Sequence, residues 1–594
     1  MYTNNSASCA TTRALAIPEV ATLIISSSNL SRADFANLRQ VCRYTSERAT
    51  PFLWKNATAE GLLALIKSAM LYRYNGKVDS IFLDAEEVEY QNFDKFHFYA
   101  QYVENLEIYD QESYRCYSMD GWHILGLELK TRGRPLIPNL NALRFLNTSS
   151  SHGIDESKWI QVFAHPGLKE VSLIPDPPMP AGRIPFLAAS IILKNLLQYC
   201  PDIQILHLAP NDNEHYPATL DRKLFDISLF RAALEYQPSQ RWYQAVHALT
   251  RLQHLTVSEG WLYPASLRVL GSLPELESLS IVRGPPDDFD YFGMDPNLPD
   301  GAFPKLIELS ILGLEAWGIG IILEAKGMLR RLTTIKLEFY FDVLDGTSNE
   351  RYYSEMHKLF QGLHDTPYLR ELHVHFPFQP EEGERPAEVY DLMECMGPHP
   401  LLEYVHLDGI RIDKDYRRNF DSIRKLAAIW PNVRTLLMPS QHASIRDLED
   451  FVRLPSLKYL TVKLNLKYPD PHLGLSAKPR PGFALSPLQS LTSSGPLRLG
   501  ISHENITLCA GALLKLCPFL QSVSWSDQDP ARERLGQFFN SILRFHSKVA
   551  LSHGAQVPMV HASDTGELAA FGHIIRSLEE TDLDSDSDSE LESC

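Results

Sequence analysis

The sequence is poor in cysteine: eight in 594 residues, at Cys9, Cys42, Cys116, Cys200, Cys395, Cys509, Cys517 and Cys594. No two form Cys-x-x-Cys, and no Cys/His cluster has zinc-finger spacing, which argues against a disulfide scaffold and a structural zinc. Long apolar runs are missing too. The longest, Ile184 to Leu193, is about half of the ~20 residues that span a bilayer, so no membrane partner is expected. Residues 1–16 lack a charged stretch followed by an apolar one, so no secretory signal is expected. The thiols are then read as reduced, in the cytoplasm or the nucleus. Positive charge is the scarcer sign, with 56 Lys and Arg against 73 Asp and Glu, a net −17. Phosphate contacts need clustered cations, so nucleic acid is not an expected partner. Catalytic signatures are absent as well: no phosphate-binding loop, no Gly-x-Gly-x-x-Gly, no His-Glu-x-x-His and no Gly-x-Ser-x-Gly. His373-x-His375 has no third ligand at a metal-binding spacing, and Asp287-Asp288…Asp290 lacks the EF-hand pattern. No enzyme activity, metal or cofactor is expected.

What the chain has in quantity is one repeated pattern, Pro-x-Leu-x-x-Leu-x-Leu, with other large apolar residues at the Leu places. Proline-bearing copies begin at Pro138, Pro166, Pro201, Pro274, Pro304, Pro367, Pro400, Pro431, Pro455 and Pro518. Copies without it begin at Val78, Val103, Ile124, Leu252, Leu332 and Leu488, the last being the poorest because Ser493 takes its final apolar place. The mean spacing is about 29 residues, within the range of strand-plus-helix repeats. The last two apolar positions are two apart, so both face one side of a short strand: Leu372 and Val374 inward, His373 and His375 outward. Helical periodicity fills the gaps, as in 188–199 and 354–363. One such unit cannot bury its apolar face alone; stacked units share a core. The proline ends the preceding helix and starts the extended run. The pattern resembles the leucine-rich repeat family over roughly residues 75–526, with the family's Asn present only at Asn211 and Asn465. The resemblance implies an α/β fold, an irregular horseshoe-like solenoid. Insertions are expected at 175–185, 210–221, 284–301, 379–387 and 467–487.

Residues 17–55 carry a second pattern. Pro18 is placed to open a helix that runs to about Ser26. Ser31 with Asp34 reads as a capping box for a helix from Arg32 to about Cys42. A third short helix is expected near Ser46, interrupted by Pro51. The segment resembles an F-box. Ile17-Pro18-Glu19-Val20 stands for the family's Leu-Pro-x-Glu-Leu opening. Leu23-Ile24, Leu30, Asp34-Phe35, Leu38, Val41-Cys42-Arg43 and Leu53-Trp54 follow its pattern, while Tyr44-Thr45 replaces the usual Arg-Trp. An F-box followed by leucine-rich repeats resembles the substrate-recognition subunits of SCF ubiquitin ligases, of the fungal type. That resemblance implies a non-catalytic subunit. Ile17, Pro18, Val20, Leu23, Leu38, Val41 and Trp54 would bind a Skp-type adaptor joined to a cullin, and the repeats would bind a protein substrate. The alternative is a repeat scaffold with a helical N-terminal cap and no link to ubiquitin.

The expected organisation is a disordered stretch at 1–13, the F-box-like helices at 14–56 and the solenoid at 57–526. A helical cap over 527–576 follows, with Leu535, Phe538, Phe539, Ile542 and Leu543 at helical spacing, then an acidic disordered segment at 577–594. The substrate is expected on the polar face of the strands, lined by His207, Thr256, Ser280, Ser310, Lys336, His373, His375 and His406, which suits hydrogen bonding and a response to pH. Segment 577–594 holds eight acidic residues and no basic one. Thr581, Ser585, Ser587 and Ser589 each have an acidic residue three places on, a spacing that suits acidophilic kinases. Such a segment would dock on a basic partner or compete for Lys and Arg of the chain's own surface; the alternative is a solubilising segment with no regulation.

Overall fold

The computed structural model describes residues 17–27, 30–84, 93–109, 116–147, 154–173, 186–209, 245–258, 264–282, 298–314, 316–339, 357–376, 387–389, 395–412, 422–466, 487–495, 497–499, 503–525, 536–537 and 539–544. Packing divides the chain into two units, Met1–Gly293 with Pro299–Lys305, and Met294–Leu298 with Leu306–Cys594. In both, most copies of the repeated motif make one strand each, and those strands stack in parallel.

The first unit opens with helices α1 (Pro18–Ser27), α2 (Arg32–Val41) and α3 (Arg43–Lys55). Its strands are β1 (Asn56–Thr58), β2 (Ala69–Tyr74), β3 (Lys77–Leu83), β4 (Asn105–Ile108), β5 (Ser118–Asp120), β6 (Ala142–Phe145), β7 (Glu170–Ser172), β8 (Ile205–His207), β9 (His254–Ser258) and β10 (Ser278–Val282). The ladder runs β1-β4-β6-β7-β8-β9-β10, every pair parallel. The second unit holds β11 (Glu308–Leu314), β12 (Thr334–Phe339), β13 (Glu371–His375), β14 (Ala387–Val389), β15 (Tyr404–Asp408), β16 (Ile410–Ile412), β17 (Thr435–Ala443), β18 (Tyr459–Leu466), β19 (Ser490–Ser493), β20 (Arg498–Leu499) and β21 (Ser522–Trp525). Its ladder runs β11-β12-β13-β15-β17-β18-β19-β21, again parallel. Leu372 pairs with Val405 and Val374 with Leu407, so the inward pairs form continuous rows. All four are buried. Each buried aliphatic side chain contributes roughly 1.5–3 kcal/mol of transfer free energy, before the entropy of ordering the chain is charged against it.

The proline has a more specific task than breaking a helix. The amide of the first apolar residue donates to a carbonyl three places back: Leu140 to Ile137, Leu168 to His165, Leu369 to Thr366, Leu402 to His399, Leu457 to Leu454. Proline therefore sits at the second place of a tight turn, where its fixed φ suits the geometry and its missing N–H costs nothing.

Three expectations are corrected. The Val78 copy forms β3, which pairs antiparallel with β2 and parallel with β5 in a separate three-stranded sheet. Asn75 and Gly76 between β2 and β3 both have positive φ, the geometry of a two-residue hairpin. The Ile124 copy is helical, within α4 (Trp122–Arg132), bracketed by Gly121 and Gly133 in left-handed caps. Third, α3 is not interrupted at Pro51. The proline removes one donor, and in the preceding turn the Thr50 hydroxyl donates to the Ser46 carbonyl oxygen at 2.6 Å. Conversely β1 has no counterpart among the sixteen copies; Asn56, Ala57 and Thr58 pair with Asn105, Leu106 and Glu107 of β4. Ser493 works at its apolar place because it is buried and accepts from the Leu464 amide at 3.1 Å.

Residues 539–544 are helical, and Phe539, Ile542 and Leu543 are buried; Leu535, Phe538 and most of the expected cap lie outside the described residues. Asn540 bonds the outermost strand twice: it accepts from the Val523 amide and donates to the Val523 carbonyl oxygen, both at 2.8 Å. Residues 1–13, nearly all of the expected insertions, and 577–594 lie outside the described residues.

Candidate protein-interaction surfaces

Two surfaces correspond to the sequence expectations. The first is the helical module. The capping box is present: Ser31 Oγ accepts from the Asp34 amide at 3.3 Å, and Asp34 accepts from the Ser31 amide at 2.8 Å. Those Ser31 bonds hold the Asp34 carboxyl below the ordinary range. Helix α3 has an analogous cap, in which Thr45 Oγ1 accepts from the Cys42 amide at 3.2 Å. Phe35 and Phe52 stack at 5.8 Å, locking α2 against α3. Trp54 stacks on Tyr99 at 4.6 Å, and Arg39 donates to the Tyr99 hydroxyl at 3.2 Å, which ties the module to the first rungs of the ladder.

The module buries little. Ala21 and Ile25 of α1 are buried, and no residue of α2 is. Ile17 is 49% exposed, Leu23 66% and Val41 69%, unusual for large apolar side chains on so small a unit. Of the remaining residues expected to bind an adaptor, Val20, Leu38 and Trp54 are half-buried, and Pro18 opens α1. Trp54 is occupied by Tyr99, so it supports the module from within.

The second surface is the polar face of each ladder. In the first unit His207 stands beside Thr256, and Thr256 beside Ser280. In the second, Ser310, Lys336, His373 and His406 stand in one row across four strands. The middle x of Leu-x-Leu therefore marks one line per unit, as expected. Access differs from expectation at two places. Thr256 and Ser310 are buried, Thr256 being hydrogen-bonded to His207 Nδ1 at 2.6 Å. Lys336 reaches Glu308 at 2.6 Å instead of standing free.

His373 does not supply a response near neutral pH. Burial, then Lys336 and His406, push its imidazole down to about 4, against a weaker upward pull from Glu308. Its ring stacks on Tyr404 at 4.7 Å and meets His406 edge-on at 6.1 Å. Burial lowers His406 too, with Asp408 opposing and His375 adding a little. His375 is exposed and pairs with Asp408 at 2.9 Å. The sequence reading missed Tyr404, Glu308 and the Arg370–Glu403–Arg434 cluster, in which one carboxylate meets two guanidinium groups at 3.4 and 3.5 Å. All lie at the two x places of Leu-x-x-Leu, which point partly to the same face. Among the described residues no group of three or more His, Cys, Asp or Glu is placed to hold a metal ion, and no helix is long and apolar enough to cross a membrane.

No family model matches the chain, and no curated protein does. Among solved structures, an internalin from Listeria monocytogenes is similar at 12% identity, over 62% of this chain and 78% of that one, with a TM-score of 0.24. The Drosophila Toll–Spätzle complex is similar at 9% identity, over 71% of this chain and 56% of that one, with a TM-score of 0.28. The fold rests on the register of the strands: parallel ladders to which most copies of the repeated motif supply one strand each.

Proposed function

We propose that the chain is the substrate-recognition subunit of an SCF-type ubiquitin ligase. In this reading α1 to α3 dock on a Skp-type adaptor, which joins the chain to a cullin. The polar sheet faces take a protein substrate, and the chain itself catalyses nothing and needs no cofactor. It works in the cytoplasm or the nucleus. The observation that carries the reading is the exposure of Ile17, Leu23 and Val41 on a capped helical module. Exposed apolar groups of this size on ordered helices mark a binding site. The test is a pull-down of the full chain with a purified Skp-type adaptor. Pro18→Ala combined with Leu23→Ala is expected to abolish capture while the circular dichroism of the repeats is unchanged. Undiminished capture by the double variant removes the assignment.

A second reading is favoured by one observation. Helix α3 runs straight into β1, and Trp54 packs on Tyr99, so the module also closes the first rung of the ladder. That suits a scaffold with a helical cap. A wild-type chain that captures no adaptor supports it.

A further inference from the structure

The polar face of the second unit changes sign along the ladder. On β11, β12, β13 and β15, with the residues just before them at 307, 333, 370 and 403, the acidic residues are Glu308, Glu338, Glu371, Glu403 and Asp408 against Lys336 and Arg370. From β17 onward the strands β17 to β21, with the residues just before them at 434, 458, 489 and 521, contain no Asp or Glu. They carry Arg434, Lys458 and Lys463, with the hydroxyls of Thr461, Thr492 and Ser524 between. Thr461, Thr492 and Ser524 stand in one row, and Thr492 bonds Ser524 at 2.9 Å. Lys463 alternates with buried Val462 and Leu464, so it shares the polar face. Arg434 has only a share of Glu403. Neither Lys458 nor Lys463 forms an ion pair among the described residues. Such a face offers charge-assisted donors and hydroxyl donors together and repels no anion.

We propose that this basic, hydroxyl-lined face is the docking site for the chain's own acidic segment 577–594. The segment's eight acidic residues meet no cation within it, while the strands of the face supply cations and no carboxylate of their own. The chain also arrives at the right place. Helical residues 539–544 lie against the outermost strand, where Asn540 bonds Val523. The thirty-two residues 545–576 that follow have a maximum contour of about 3.3–3.6 Å each. The four rungs from β21 to β17 span only about 15 Å. Tethering makes the encounter intramolecular and raises the local concentration of the acidic segment. The docked segment covers part of the face that a protein partner would use, so it competes with that partner. Phosphate on Ser585, Ser587 or Ser589 adds about −1.5 to −2 of charge each and tightens the docking. The inference stands whether or not the chain belongs to a ubiquitin ligase.

Zero-length carbodiimide cross-linking of the full chain, read by mass spectrometry, tests it. The expected products are amides joining Lys458 or Lys463 to carboxylates of residues 579–592 within one monomer. Raising salt from about 0.05 to 0.5 M, which shortens the screening length several-fold, is expected to cut their yield by roughly tenfold. Arg434→Glu, which removes no cross-linkable amine, is expected to cut it similarly, and Arg434→Lys to preserve it. Three results overturn the proposal: cross-links spread evenly over the chain's lysines, cross-links found only in covalent dimers, or a yield indifferent to Arg434→Glu.

Discussion

His373 sits between a lysine, a second histidine and a tyrosine ring, and that setting fixes its response to acid. Its folded-state value is about 4, against about 6.5 for a free imidazole. Between those values the unfolded chain binds a proton that the folded chain refuses. Stability therefore falls as pH drops through 6.5 towards 4 and is not lost further below. The side chain is 28% exposed, so water discounts the effect to about 1–2 kcal/mol. His373→Gln is expected to flatten the dependence of the urea midpoint between pH 7 and pH 4.5, and an unchanged slope would assign the acid sensitivity elsewhere. Gly409 is constrained in a different way. Its φ is +72°, and a Cβ there would collide with the Phe376 carbonyl oxygen. Its amide donates to Asp408 and to Ser440, so the position cannot relax without breaking both bonds. Gly409→Ala is expected to cost about 3 kcal/mol or more, read as a lowered denaturant midpoint.

Elements followed the sequence where pattern and turn chemistry agreed. The capping box at Ser31 was legible because a Ser-x-x-Asp spacing has one efficient use at a helix start. The turn prolines were legible as breakers, though their place inside a hydrogen-bonded turn was not, because that depends on the carbonyl three residues earlier. Pro367→Ala is expected to lower stability by about 0.4–1 kcal/mol, by enlarging the unfolded ensemble and leaving the turn bond in place. The failures have equally local causes. Leu-x-x-Leu-x-Leu at Ile124 also marks a helix stripe, and the deciding signals were the flanking Gly121 and Gly133. Val78 follows Asn75-Gly76, a hairpin signal that outranks the repeat. Strand β1 has a single apolar residue, Ala57, and no pattern of its own; the neighbouring strand imposes its conformation. The row of polar side chains was readable from a period of two. The burial of Thr256 and Ser310 was not, since it depends on the bulk and reach of side chains on adjacent rungs.

At the scale of the whole molecule, a ladder of rungs has ends, and its strength lies in contacts between neighbours. Substitutions within one rung are therefore expected to act on adjacent rungs first. The sign change along the second unit is a property of the ladder as a whole. No single strand displays it, which is why motif-by-motif reading passes over it.

The bond pair between Asn540 and Val523 has a consequence beyond stability. A parallel strand with an open flank is a template on which another chain can grow, and repeats are built to accept one more rung. Among the described residues β21 is the last rung, and with Asn540 on both backbone groups of Val523 a further chain is expected to find no partner there. Asn540→Ala removes the plug at a folding cost of roughly 1–3 kcal/mol. The variant is expected to lengthen into concentration-dependent head-to-tail assemblies, visible by light scattering, while the wild-type chain stays at a fixed size over the same range.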